Sequence, residues 1–242
     1  MLNPYLFVLS AGHLIVDLAQ GVLPIIMPLL SEKLSLNYFQ IGTVALAFTF
    51  SSAIIQPAFG VFSDRYSMPW LMPLGLFLSG VGMALTGMMN SYGLLLFVVL
   101  LSGIGLAGYH PEASKLAHYV SDEGKAGASM AVFSVGGNIG FGLGPVLAIF
   151  ILGFSGLDSI YGVAVPGILG ALVFMFLLPR FKSILAKGSP AGKGKGPGPK
   201  PGQGSELLRA KRSGSNRIGS LVLLILYVIV RSWTHYGIIY FI

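Results

Sequence analysis

The run LLLFVVLLSGIGLAGYHPEASKLAH (94–118) passes through sixteen residues without a charge and then places two histidines, a glutamate and a lysine within nine positions. Whether those groups stand in water or in hydrocarbon decides how the whole chain folds. Composition answers the question. Of 242 residues, 54% are hydrophobic and only 10% charged, and mean hydropathy is +0.81. A soluble domain carries about a quarter of its residues as Asp, Glu, Lys and Arg. This chain has too few charges to cover a globular surface, so its apolar surface must face lipid.

Working outward from 94–118, windows near 5–30, 39–62, 71–90, 92–117, 127–152, 160–179 and 218–242 each supply the roughly 20 apolar residues that cross a hydrocarbon core of about 30 Å. The first window retains Asp17 and lacks both a basic leader and a small-residue cleavage site, so it reads as a retained helix rather than a signal peptide. Even spacing and Gly-Pro punctuation predict helices, and the alternating pattern of a membrane barrel is missing. There is no cysteine, which removes disulfides and thiolate metal sites. The fold class expected is all-α membrane protein.

The formal charge of +7 is unevenly spread: ten of the fifteen bases lie in 180–217, with Glu206 the one acid there. That segment contains AGKGKGPGPKPGQGS (191–205), a composition for a flexible linker rather than a packed element. The positive-inside rule places it in the cytoplasm as a solvated loop able to touch anionic lipid, and argues against a nucleic-acid partner. Counting back through six spans puts the N-terminus in the cytoplasm too. The domain organisation expected is a six-helix bundle over 1–180, a cytoplasmic basic linker over 181–217, and a seventh helix over 218–242 that begins a missing C-terminal six-helix bundle.

Ionisable groups inside a bilayer cost several kcal/mol and are functional candidates by default. On the first helix His13, Asp17 and Gln20 fall at i, i+4 and i+7, one polar stripe that either hydrogen-bonds to another helix or lines a polar path. Thr49, Ser52 and Gln56 repeat the pattern on the second, as interhelical glue or cavity lining. In the fourth, a midpoint near Gly105 sets His110 about 8 Å and Glu112 about 10 Å from the midplane. Glu112 and Lys115 form an i, i+3 pair on one face, while His110, Ser114 and His118 share another. The pair either anchors the helix end, or Glu112 joins His110 and Asp17 in a titratable proton relay; the relay is the preferred reading. On the fifth helix Gly136, Gly140 and Gly144 leave one face bare for close packing up to Pro145, with Asn138 on a different face. The seventh helix adds Arg231, which deep in an apolar span needs an anion, either a carboxylate such as Asp17 or Glu112 or the substrate itself, and His235 on the same face. No phosphate loop, nucleophile elbow or metal-ligand cluster appears, and His13, His110 and His118 lack metal-ligand spacing. An enzyme, a cofactor and a metal are therefore not expected.

Several blocks carry a family resemblance. GVFSDRY (60–66) resembles the cytoplasmic loop signature of the major facilitator superfamily, and Gly136–Pro145 its antiporter motif. HLIVDLAQGVLP (13–24), SDRYSMPWLMP (63–73), YHPEASKLAH (109–118), FSVGGNIGFGLGP (133–145) and RSWTHYGIIYF (231–241) look like the fosmidomycin resistance group of drug exporters. The resemblance implies two six-helix bundles in the cell membrane, alternating access, and export of a small molecule in exchange for protons. Carried over by position, Gly60, Asp64 and Arg65 would form the cytoplasmic gate, and Asp17, His110, Glu112 and Arg231 a central polar set. Two departures stand out: Ser67-Met68-Pro69 replaces the usual glycine and basic pair of the loop, and the fourth helix lacks the arginine of many proton antiporters. An uptake symporter for a nutrient or osmolyte, and a membrane receptor or assembly protein that moves nothing, are the competing readings.

Overall fold

Three of the first four helices start where a side chain takes up a free backbone amide. The computed structural model describes residues 3–122 and 125–188, with the helical positions Gly219, Leu223 and Leu226. Asn3 accepts from the Tyr5 amide at 3.0 Å and opens α1, Pro4–Leu34, with Pro4 in the first turn, where its missing N–H is harmless. Ser35, in the left-handed region at φ 50°, closes it. Asn37 and Gln40 exchange side-chain bonds in a capping box and begin α2, Tyr38–Arg65. α3 runs Leu71–Leu85 with a 3-10 turn, Thr86–Met88, behind it, and Ser91 caps α4, Tyr92–Tyr119. α5 is Ala126–Ser155 and α6 is Ala164–Gly188. Among the described residues every element is helical.

Among the described residues, five unbroken helical stretches are long and apolar enough to cross a membrane, the last being the 61 residues Ala126–Ala186. That stretch folds back on itself through the 3-10 turn Gly156–Val163, with Gly156 at φ 61° and the Ser159 hydroxyl donating to the Ile151 and Gly156 carbonyls at 2.6 Å. It therefore supplies two spans, α5 and α6. The sixth span was expected over 160–179, whereas the helix begins at Ala164 because the 3-10 turn holds the residues before it. It continues to Gly188, past Arg180 and Lys182, whose long stems can lie along the helix while their charges reach water. α2 contains one π-helical turn, Phe50–Ile54, ending three residues before Pro57. A proline ring collides with the carbonyl four residues back, and the wider turn relieves that collision.

Backbone contacts divide the chain at Ser189–Pro190. The first residues of the linker expected over 181–217 are thus helical, as the end of α6; of the second unit, which covers the rest of that linker and the expected seventh span, only Gly219, Leu223 and Leu226 are described, all helical.

The six helices of the first unit are joined by glycine seams. A Cβ on Gly136, Gly140 or Gly144 of α5 would strike the carbonyls of Ser10, Leu14 and Leu18 of α1 in turn. Both series advance by four residues, so the two backbones run in register for two turns. Gly75 and Gly82 of α3 meet the Gly105 carbonyl and the Ser102 backbone of α4, and Gly80 meets Gly167 of α6. Lipid provides no hydrophobic drive between helices, so close backbone approach and weak Cα–H···O contacts take its place. The outward faces are apolar; Phe176 is 80% exposed and Phe154 70%.

The seam predicts a contrast. Gly140→Ala places a methyl on the Leu14 carbonyl and should lower stability by about 1–3 kcal/mol. Gly142→Ala, which meets nothing within 4 Å, should leave the protein as stable or slightly more so. Thermal unfolding in detergent separates the two.

Candidate functional site

Asp17 lies two residues from the middle of α1, about 3 Å along its axis. A carboxylate at that depth needs partners. His13, one turn earlier, brings Nε2 to 3.2 Å from Asp17 Oδ2, and His110 of α4 brings Nε2 to 3.2 Å from Oδ1. The two Nε2 atoms are themselves 3.1 Å apart. The rings meet edge to face at 4.8 Å, and Phe133 of α5 stacks on His13 at 4.3 Å.

The far side of each imidazole fixes its tautomer. His13 Nδ1 donates to the Phe133 carbonyl at 2.8 Å, and His110 Nδ1 donates to the Leu106 carbonyl at 2.7 Å. A carbonyl can only accept, so both Nδ1 atoms carry protons. If both rings were neutral and Asp17 ionised, two bare Nε2 lone pairs and a carboxylate would face one another at 3.1–3.2 Å with no hydrogen between them. The cluster is satisfied only when at least one proton sits among the three groups. Gly137 of α5 leaves room for it, since a Cβ there would overlap His13 Nε2 and come within 2.6 Å of Asp17 Oδ2. Tyr109, fully buried beside His110, donates to the Leu9 carbonyl at 2.7 Å and locks α4 to α1 one turn before His13.

Glu112 is placed elsewhere. Two residues beyond His110 it points some 200° around the helix, and it is completely buried. Its Oε1 accepts from the Ser63 hydroxyl at 2.7 Å and from the Met68 amide at 2.8 Å, while Oε2 has no partner among the described residues. Lys115 donates to the Ser63 carbonyl and stands 3.5 Å from its hydroxyl. Glu112 and Lys115 do not pair with each other; both hold Ser63. Of the relay expected through Asp17, His110 and Glu112, the structure brings Asp17 and His110 together, while Glu112 bonds to the end of α2 and the loop before α3.

The other candidates are scattered. Gln20 and Gln56 are half-buried, and Asn138 is exposed. Gly60 has open space where a side chain would stand, and Asp64 and Arg65 are exposed without an ion pair to a described residue. Gly136, Gly140 and Gly144 line the seam with α1, and the ring of Pro145 reaches Gly21. Arg231 and His235 lie outside the described residues. Sequence reading missed Gly137 and Ser63, although Gly137 adjoins the glycine series and Ser63 opens the SDRY block.

Comparison with known proteins gives this geometry a context. The sequence model of the Major Facilitator Superfamily matches residues 9–242. The chain is 35% identical over 185 residues to the fosmidomycin resistance protein of Escherichia coli K12, covering 75% of this chain and 45% of that protein. It is 31% identical over 175 residues to the uncharacterized MFS-type transporter YfnC of Bacillus subtilis 168, covering 72% and 42%. It thus spans less than half the length of these curated relatives. Among solved structures, a bacterial homologue of the human lysosomal transporter Spinster, inward-facing and unoccupied, superposes with a TM-score of 0.66 at 19% identity, over 100% of this chain and 55% of that one. Six membrane-spanning helices packed on glycine seams, a polar cluster midway along the first of them, and a family match over nearly the whole length agree: the chain belongs to the Major Facilitator Superfamily of multi-pass membrane transporters.

Proposed function

We propose that this chain belongs to a proton-coupled carrier that exports a small organic compound by alternating access, with the bundle 1–180, its last helix carried on to Gly188, as one half, the rest of 181–217 as a cytoplasmic linker and 218–242 opening the second half. The observation that carries the coupling is the contact of His13, Asp17 and His110 near mid-membrane, with both Nδ1 atoms committed to carbonyls. A group of three that must share a proton is a loading site for one. Its side chains stay 11–17% exposed, so water in a central passage can deliver and remove that proton. Similarity to a fosmidomycin resistance protein and to putative multidrug resistance proteins named MdtD supports drug-like cargo and export. The basic tract 180–217 supports a cell-membrane orientation with the N-terminus inside. In that orientation Ser63, Met68, Glu112 and Lys115 brace the cytoplasmic gate beside Asp64 and Arg65.

Flux across proteoliposomes with an imposed pH gradient tests the coupling. Asp17→Asn and His110→Gln in the full-length protein should reduce proton-driven export of a phosphonate substrate to the level of empty vesicles while leaving folded protein. Wild-type pH dependence in Asp17→Asn would remove the cluster from the coupling.

Glu112 makes a separable prediction. Glu112→Ala leaves the Ser63 hydroxyl and the Met68 amide unsatisfied in a buried place, and should destabilise by about 1–3 kcal/mol per orphaned group. Glu112→Gln keeps an acceptor for both, so most stability and proton-driven export should survive. Loss of proton coupling in Glu112→Gln, with normal folding, would return Glu112 to the proton path.

A further inference from the structure

We infer that His13, Asp17 and His110 form a binding site for one borderline divalent transition-metal ion of the Zn2+ type. The assignment rests on the arrangement of donor atoms and does not require the carrier reading above.

Donors adjacent on such an ion, each bound at about 2.0–2.1 Å, stand about 2.9–3.4 Å apart for angles between octahedral and tetrahedral. The two Nε2 atoms are 3.1 Å apart and each lies 3.2 Å from a different oxygen of Asp17, and one donor atom from each of the three residues falls within 4.8 Å of the others. Asp17 turns Oδ2 toward His13 and Oδ1 toward His110, so its carboxylate straddles the point where the ion would sit.

The groups behind the donors are those a metal site requires. Metal-bound imidazole donates its other N–H to a carbonyl or carboxylate, which fixes the ring and aims its lone pair. His13 does this to Phe133 and His110 to Leu106. Phe133 also stacks on the His13 ring and restrains it. The backbones carrying these residues are pinned by the Gly136–Ser10 and Gly140–Leu14 approaches and by the Tyr109–Leu9 bond. Gly137 presents no side chain above the donors, and the three side chains remain 11–17% exposed. Three protein ligands and an open side match an ion that keeps a fourth position for water or for an oxygen of a bound compound.

Two imidazoles and one carboxylate select among ions. They suit Zn2+, Co2+, Ni2+ or Fe2+, offer too few oxygens for Ca2+ or Mg2+, and lack the sulfur that favours Cu+. The ion takes the space and the lone pairs that otherwise hold the shared proton, so the two occupants exclude each other.

The test is Co2+ titration of the full-length protein in detergent, purified without a histidine tag and followed by visible absorption. One Co2+ per chain with nitrogen-ligated bands, displaced by Zn2+, is expected. His13→Gln, His110→Gln and Asp17→Asn should each weaken binding by more than the roughly 10–100-fold that follows loss of a supporting partner. His118→Gln, at an exposed position of α4, should leave the midpoint unchanged. Absence of those bands in folded wild-type protein overturns the assignment without recourse to any variant, as does an unchanged midpoint in a folded His13→Gln/His110→Gln double variant. Flux separates this from the carrier reading. Co2+ bands with normal proton coupling in Asp17→Asn support the metal site alone, whereas lost coupling without Co2+ bands sinks it and leaves the carrier.

Discussion

Two hydrogen bonds to backbone carbonyls govern the chemistry of this bundle. Once Phe133 and Leu106 have taken the Nδ1 protons of His13 and His110, both Nε2 atoms must turn toward Asp17, and no rearrangement of tautomers can fill the space between them. In water such a cluster would be of little consequence, because solvent would supply whatever proton or bond was missing. Near the middle of a membrane helix solvent is scarce and an unmet carboxylate is expensive. The cluster is therefore poised to take up something positive.

That poise depends on distance, and distance depends on glycine. His13 and Asp17 lie on α1, His110 on α4 and the Phe133 carbonyl on α5, so the site exists only if three helices approach closely. Larger residues at Gly136 or Gly140 would drive α5 away from α1 and carry the Phe133 carbonyl out of reach of His13. A side chain at Gly137 would enter the site itself. Neighbouring glycines thus do different things: two in series set the helix spacing, and the one between them keeps the centre clear.

The fold was more legible in the sequence than the site. Long apolar windows and the basic tract over 180–217 are local signals, and local signals survive in a linear reading. The α6 start was displaced because a 3-10 turn at Gly156–Val163 is as apolar as the helix after it. On the first helix the i, i+4 spacing of His13 and Asp17 announced a stripe, but nothing local announces that His110, 97 residues later, completes it. Judged by linear spacing alone, His13 and His110 were set aside as metal ligands; the fold makes them neighbours. Glu112 is the opposite case. It sits close to His110 in sequence, and the helical period turns that closeness into separation, towards Ser63 at the head of the SDRY block.

On the carrier reading, this separation gives α4 its purpose. His110 faces α1 and Glu112 faces the α2–α3 junction, and Pro111 stands between them. Proline donates no amide hydrogen, so the carbonyl of Ala107 loses its ordinary partner and the helix is easier to bend at this point. A charge change at Nε2 of His110 alters how strongly α4 is held to Asp17, while Glu112 and Lys115 hold the same helix to Ser63. A proton can bias the gate only by the difference in its affinity for the two arrangements of α4, and a bend between the two anchors is what allows those arrangements to differ. A straight, fully bonded helix would join the two sites rigidly. A looser link would disconnect them. Pro111 sets the compromise, one residue from each anchor.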